Sequence, residues 1–120
     1  MPSRNYQDLI AWQKGMDLAV SVYKLTATFP ADERFGLTSQ VRRAASSIPY
    51  TIAEGQGRFT KPDFKRFLSM AHGSVREVET QVLLAVRLRF LRQEQAEPVL
   101  ELAAEVGRLI RGLANSLGGD

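Results

Sequence analysis

The stretch Phe64-Lys65-Arg66-Phe67-Leu68-Ser69-Met70-Ala71-His72-Gly73-Ser74-Val75-Arg76-Glu77-Val78-Glu79-Thr80-Gln81-Val82-Leu83-Leu84-Ala85 sets apolar residues at 64, 68, 71, 75, 78, 82 and 85. Steps of four and three alternate, which is the spacing of a helix seam buried in a coiled-coil-like bundle. A strand would alternate at every second residue, and no segment of the chain does so. Just upstream, Thr60-Lys61-Pro62-Asp63 combines a threonine cap, a proline in the first turn and an acid three residues on. That combination starts a helix, predicted over about 61–91.

Outward from there, three further helical patterns appear. One covers about 38–56, with Leu37, Val41, Ala44, Ile48 and Ile52 on one face, Thr38 as its expected N-cap, and Gly55 and Gly57 as its expected stop. It contains Pro49, whose missing N–H and ring clash cost about 3 kcal/mol or more in a helix interior. Surrounding structure must compensate, with Ser46 and Ser47 available to bond freed carbonyls. The first helix is predicted over about 8–28, with Leu9, Trp12, Met16, Ala19 and Tyr23 on one stripe and Leu18, Val22 and Leu25 on another, ended by Phe29-Pro30. The last covers about 94–117, with Val99, Leu102, Val106, Leu109 and Leu113 on its seam and Pro98 near its start, before Gly118-Gly119. Four long helices with short connections predict an all-α, up-down-up-down antiparallel four-helix bundle, a single domain over 1–120.

The chain's 120 residues suit one domain. Its longest apolar run, Val82 to Val86, is far short of the roughly 20 residues a bilayer span needs, and no apolar leader precedes the first helix. A cytoplasmic protein with no membrane partner is expected. Without cysteine there is no disulfide, thiolate metal site or cysteine nucleophile. Sixteen Lys and Arg against thirteen Asp and Glu give a net charge of +3, a weak argument for nucleic acid. Arginine outnumbers lysine, which fits both bidentate phosphate binding and the codon bias of GC-rich bacteria.

Val82, Leu83, Leu84, Ala85, Val86, Leu88, Phe90 and Leu91 nearly encircle the third helix, more than one core stripe uses. Either they touch all neighbouring helices, or Leu83, Leu84, Leu88, Phe90 and Leu91 form a subunit interface. Antiparallel order gathers Lys24, Arg34, Arg87, Arg89 and Arg92 with Asp32, Glu33, Glu94 and Glu97 at one end of the bundle. The other end collects Arg4, Arg58, Lys61, Lys65, Arg66, Arg108 and Arg111 with Asp8, Glu54, Asp63, Glu105 and Asp120. Taken singly these charges suit a solvated surface; repeated around a symmetry axis, they would make a multivalent one.

The residue types argue against catalysis. No Glu-x-x-His pair of the di-metal bundles occurs, and His72 is the sole histidine. Glu77 and Glu79 point to different helix faces and are expected to partner Arg42, Arg43 or Arg76. Ser46 and Ser47 have no histidine nearby in sequence, Gly73-Ser74 reads as a close helix contact, and Gly55 and Gly57 lack the rest of a phosphate loop. No enzyme, cofactor or metal is expected.

Leu9-Ile10-Ala11-Trp12-Gln13, Phe35-Gly36-Leu37-Thr38-Ser39-Gln40, Arg42-Arg43-Ala44, Ser47-Ile48-Pro49, Ile52-Ala53-Glu54-Gly55 and Gly73-Ser74-Val75-Arg76-Glu77-Val78-Glu79-Thr80 occur in this order. Together they resemble the bacterial four-helix bundle proteins of the 23S rRNA intervening-sequence family, which typically have Asn where this chain has Thr51. The resemblance implies a homopentameric ring. It also implies kinship with the accessory variability determinant of diversity-generating retroelements, which binds nucleic acid and a reverse transcriptase. The expectation is therefore a non-enzymatic RNA- or DNA-binding accessory protein, with Arg42, Arg43, Arg58, Lys61, Lys65 and Arg66 contacting phosphates. The alternative is a scaffold for a protein partner that uses its arginines in internal ion pairs. Arg42 and Arg43 lie about 100° apart on a helix, so at most one of them turns toward the neighbouring helices.

Overall fold

A computed structural model describes residues 5–118; Arg4, Gly119 and Asp120 of the sequence reading lie outside them. Four helices carry the fold: α1 (Ile10–Thr26), α2 (Leu37–Gln56), α3 (Lys61–Arg87) and α4 (Gln93–Ser116). Short 3-10 turns at Tyr6–Asp8 and Ala31–Glu33 lead into α1 and α2. At about 1.5 Å per residue, α3 alone accounts for most of the 44 Å long axis.

Close pairs fix the helix directions. Arg42 reaches Thr26 while Gly15 lies against Ile48 and Pro49, so α1 and α2 are antiparallel. Ser47 bonds Ser74 while Gly55 lies against Phe67, which makes α2 and α3 antiparallel. Gly107 lies against His72 and Lys65 reaches Gly118, so α4 runs back along α3. α4 also packs on α1, closing the bundle. Leu18, Ile48, Ile52, Leu68, Val75, Val78, Val82, Val106 and Ile110 form its fully buried centre.

Alanine and glycine let the helices approach closely. On α1 the buried stripe is Ala11, Gly15, Leu18, Ala19 and Val22, whereas Met16 and Tyr23, expected inside, are exposed. A Cβ at Gly15 would sit 3.3 Å from Ile48 Cγ2 and 3.7 Å from Pro49 Cδ. Pro49 is thus fully buried with its ring against a side-chain-free patch of α1, and that packing helps offset its cost. The neighbouring serines act differently from expectation. Pro49 frees the carbonyl of Ala45, four residues back, but Ser46 Oγ donates to Arg43 O (3.3 Å) and Ser47 Oγ to Ala44 O (2.7 Å). Ser47 also pairs with Ser74 Oγ at 3.0 Å, tying α2 to α3.

Several boundaries differ from the sequence reading. Thr38 is not the cap of α2; it is buried inside the first turn, and the Leu37 N–H donates instead to Glu33 Oε1 at 3.0 Å. A carboxylate there also suits the positive end of the helix. Gly55 does not stop α2 but lies buried within it; Gly57 is the C-cap. Gly73, expected at a close contact, is exposed with nothing near its missing Cβ. The third helix ends at Arg87 rather than near Leu91, because Arg89 adopts φ 64°. Arg89 N–H then donates to Val86 O (3.0 Å) and Phe90 N–H to Ala85 O (2.9 Å), which satisfies two carbonyls of the last turn.

That turn corrects the expected apolar surface. It sends Phe90 against Phe29, with ring centroids 5.6 Å apart, and leaves Leu91 only 5% exposed, so both serve the chain's own core. Leu83, Leu84 and Leu88 remain about half exposed. Leu84 and Leu88 are one turn apart on the same stripe, while Leu83 points about 100° away from Leu84.

Candidate nucleic-acid interface

The two adjacent arginines of α2 take different paths. Arg42 turns toward α1, where its Nε donates to Thr26 Oγ1 (2.8 Å), an Nη donates to Tyr23 O (3.3 Å), and the guanidinium lies 4.7 Å from the Tyr23 ring centre. Thr26 Oγ1 in turn donates to Val22 O at 2.8 Å. A fixed cation thereby meets the exposed carbonyls at the C-terminal end of α1, a favourable place for positive charge. Arg42 thus ties α1 to α2. Arg43 is exposed and lines a surface groove with Gln40, Ser47 and Glu77.

This contrast has a measurable consequence. Arg42→Met should lower the unfolding free energy by about 1.5–3 kcal/mol, the range for hydrogen bonds to a charged group. Arg43→Met should stay within about 0.5 kcal/mol of the parent, as exposed substitutions do. Urea denaturation of the two variants checks both expectations.

The remaining expected contacts gather about 20 Å along α2, where α2 turns into α3. Thr60 caps α3 by accepting from Asp63 N–H at 3.2 Å, and this places the Asp63 carboxylate between two arginines. Arg66 Nε and an Nη donate to Asp63 Oδ1 at 3.1 and 2.9 Å, while Arg58 Nε lies 3.9 Å from Oδ2. Both guanidiniums also lie near the Phe67 ring, 4.4 Å from its centre for Arg58 and 4.8 Å for Arg66. Phe67, a residue the sequence reading passed over, is buried and fixes the two cations in place. Lys61 stands exposed at the first position of α3.

Lys65 lies on the α4 side, donating to Gly118 O at 3.0 Å past the end of that helix. It lines an open cleft of about 240 Å³ with Ser69, His72, Arg111 and Asn115. Burial, then the guanidiniums of Arg76 and Arg111, hold the His72 imidazole below its ordinary value of 6.5, against an opposite pull from Glu79. Arg76 pairs with Glu79 at 2.7 Å, one of the partners expected for the two glutamates. Among the described residues, no group of three His, Asp or Glu side chains is placed to hold a metal ion, and no helix is long and apolar enough to cross a membrane.

The Trp12-Gln13 pair anchors the first turn to α1. The Trp12 ring meets Tyr6 edge-on at 5.3 Å, and Gln13 Nε2 donates to Gln7 O at 2.9 Å. Between Glu54 and Glu77 the chain carries five cations and one acid, Asp63, and four of those cations fall at or beside this corner. The arrangement can present fixed guanidiniums and an ammonium to an anionic partner; it offers no paired acid and base.

The fold has a solved counterpart. A crystal structure of a protein of unknown function from the S23 ribosomal protein family of Bacteroides thetaiotaomicron superposes with a TM-score of 0.77 at 23% identity. The match covers 87% of this chain and 97% of that one, and at this identity it speaks to the fold alone. No curated protein matches the chain. The model of the 23S rRNA-intervening sequence protein family matches residues 7–112, and the chain belongs to that family.

Proposed function

We propose that the protein is a non-enzymatic, homo-oligomeric nucleic-acid-binding accessory protein whose α2–α3 corner contacts phosphates. The observation that carries this reading is the gathering of Arg58, Lys61 and Arg66 about the single carboxylate of Asp63, with Arg58 and Arg66 held on Phe67 and Lys61 exposed beside them. Fixed cations lose little freedom on meeting a phosphate, and each contact releases counterions. One corner has too few charges for tight binding, so repetition of the corner around an oligomer supports the reading further. The half-exposed Leu84 and Leu88 give such an assembly an apolar surface, and family resemblance suggests five copies.

Fluorescence anisotropy with structured RNA and with single-stranded DNA, over a salt series, tests the binding. Affinity should fall steeply as salt rises, and no binding at low salt would remove the proposal. Light scattering tests the assembly: the parent should have the mass of a pentamer, and Leu84→Glu/Leu88→Glu should shift it toward the monomer. A parent that is monomeric at working concentration would remove the oligomeric part.

A further inference from the structure

Phe59 sits at the apex of the α2–α3 turn with its side chain wholly in water, 102% exposed. The backbone around it is held on both sides. Gly57 N–H donates to Ala53 O (3.1 Å), Arg58 N–H to Gly55 O (3.0 Å) and Phe64 N–H to Thr60 O (3.0 Å). The ring is therefore displayed from a short bend between Arg58 and Lys61 whose two flanks are tied to α2 and α3, beside an open hollow of about 310 Å³ that also touches Asp63. Lone exposed apolar residues are ordinary on protein surfaces. The informative feature is the combination of a fully presented aromatic face, a tied backbone and cations on each side.

We infer that Phe59 is a stacking platform for an unpaired base of single-stranded nucleic acid, with Arg58, Lys61 and Arg66 contacting the flanking phosphates. The inference rests on the nucleic-acid reading above and narrows it. An aromatic face with neighbouring cations matches the alternation of planar bases and anionic phosphates along a single strand. A duplex keeps its bases stacked on one another, so it offers the ring no comparable partner. The excess of cations disfavours an apolar protein pocket as the occupant, because such a pocket would have to desolvate them.

The test compares the parent with Phe59→Ala, Phe59→Leu and Phe59→Trp. The probes are a labelled single-stranded oligonucleotide, an abasic sugar-phosphate strand of equal length and a duplex. Because Phe59 supports no packing, the variants should keep the parent's helicity and melting temperature. Phe59→Ala and Phe59→Leu should weaken binding to the base-bearing strand by about 5- to 150-fold, the range for loss of one stacked base, and Phe59→Trp should retain it. On the abasic strand and the duplex, all four proteins should bind alike. If the parent binds no nucleic acid, this inference fails together with the proposed function. If Phe59→Ala binds the base-bearing strand like the parent while Lys61→Gln binds it more weakly, stacking alone is overturned. A change of oligomer mass in Phe59→Ala would assign the ring to a subunit contact and would also overturn it.

Discussion

Gly55→Val should lower the unfolding free energy by about 3 kcal/mol or more, while Gly73→Ala should raise it by about 1 kcal/mol. The opposite signs come from what surrounds two glycines that both lie inside helices. A Cβ at Gly55 would sit 2.6 Å from Phe67 Cβ and 3.0 Å from Phe64 Cδ1. Phe64 can rotate its ring, but Phe67 Cβ is fixed to the backbone of α3, so the two helices would have to separate. That strain exceeds the roughly 1 kcal/mol that removing a helical glycine returns. At Gly73 nothing lies within 4 Å, and only the gain in helix propensity remains. Separation of α2 and α3 at Gly55 would also disturb the Phe67 ring that holds Arg58 and Arg66, so Gly55→Val links stability to the corner. Urea or thermal unfolding measures both changes, and a Gly55→Val protein as stable as its parent would show that this close approach does not constrain the fold.

The helices were legible because their burial is periodic. The seam from Phe64 to Ala85 was readable from spacing alone, and Thr60-Lys61-Pro62-Asp63 located the start of α3 because cap, proline and acid each act locally. Local sequence did not locate the end of α3. A positive φ usually recruits glycine or asparagine, and here Arg89 adopts it, so Phe90 and Leu91 looked like a continuing helix. Gly55 resembled a stop for a related reason, since a glycine that ends a helix and one that admits a neighbour differ only in what packs on it. The cap of α2 was local but of a different kind, because Glu33, four residues before Leu37, takes its N–H and leaves Thr38 inside the first turn.

The arginine pair was half legible. Helix geometry required Arg42 and Arg43 to diverge, but only the position of α1's last carbonyls determined that Arg42 turns inward. Composition flagged Arg58, Lys61, Lys65 and Arg66 without distinguishing their settings. The structure holds Arg58 and Arg66 on Phe67 and directs Lys65 to the end of α4. Phe59 was not legible at all, because a phenylalanine in a loop usually folds back onto a core, and only its exposure indicates otherwise.

The most direct measurement replaces Arg58, Lys61 and Arg66 together with Gln and follows binding of a labelled single strand from low to moderate salt. Three lost phosphate contacts at each corner the strand touches, at about 0.7 each for a single strand, should flatten the plot of log affinity against log salt by roughly 2 per engaged corner. Affinity at low salt should drop by about two orders of magnitude or more. Arg58 and Arg66 form surface ion pairs with Asp63 and cover the Phe67 ring from the solvent side, contacts of about 0.5–1 kcal/mol each at exposed sites, so the triple variant should remain folded, which circular dichroism and light scattering verify. As a control, Arg43→Gln, about 20 Å away, should change the slope by less than one contact's worth. A folded triple variant that keeps the parent's affinity and salt slope would contradict the assignment of nucleic-acid binding to the α2–α3 corner.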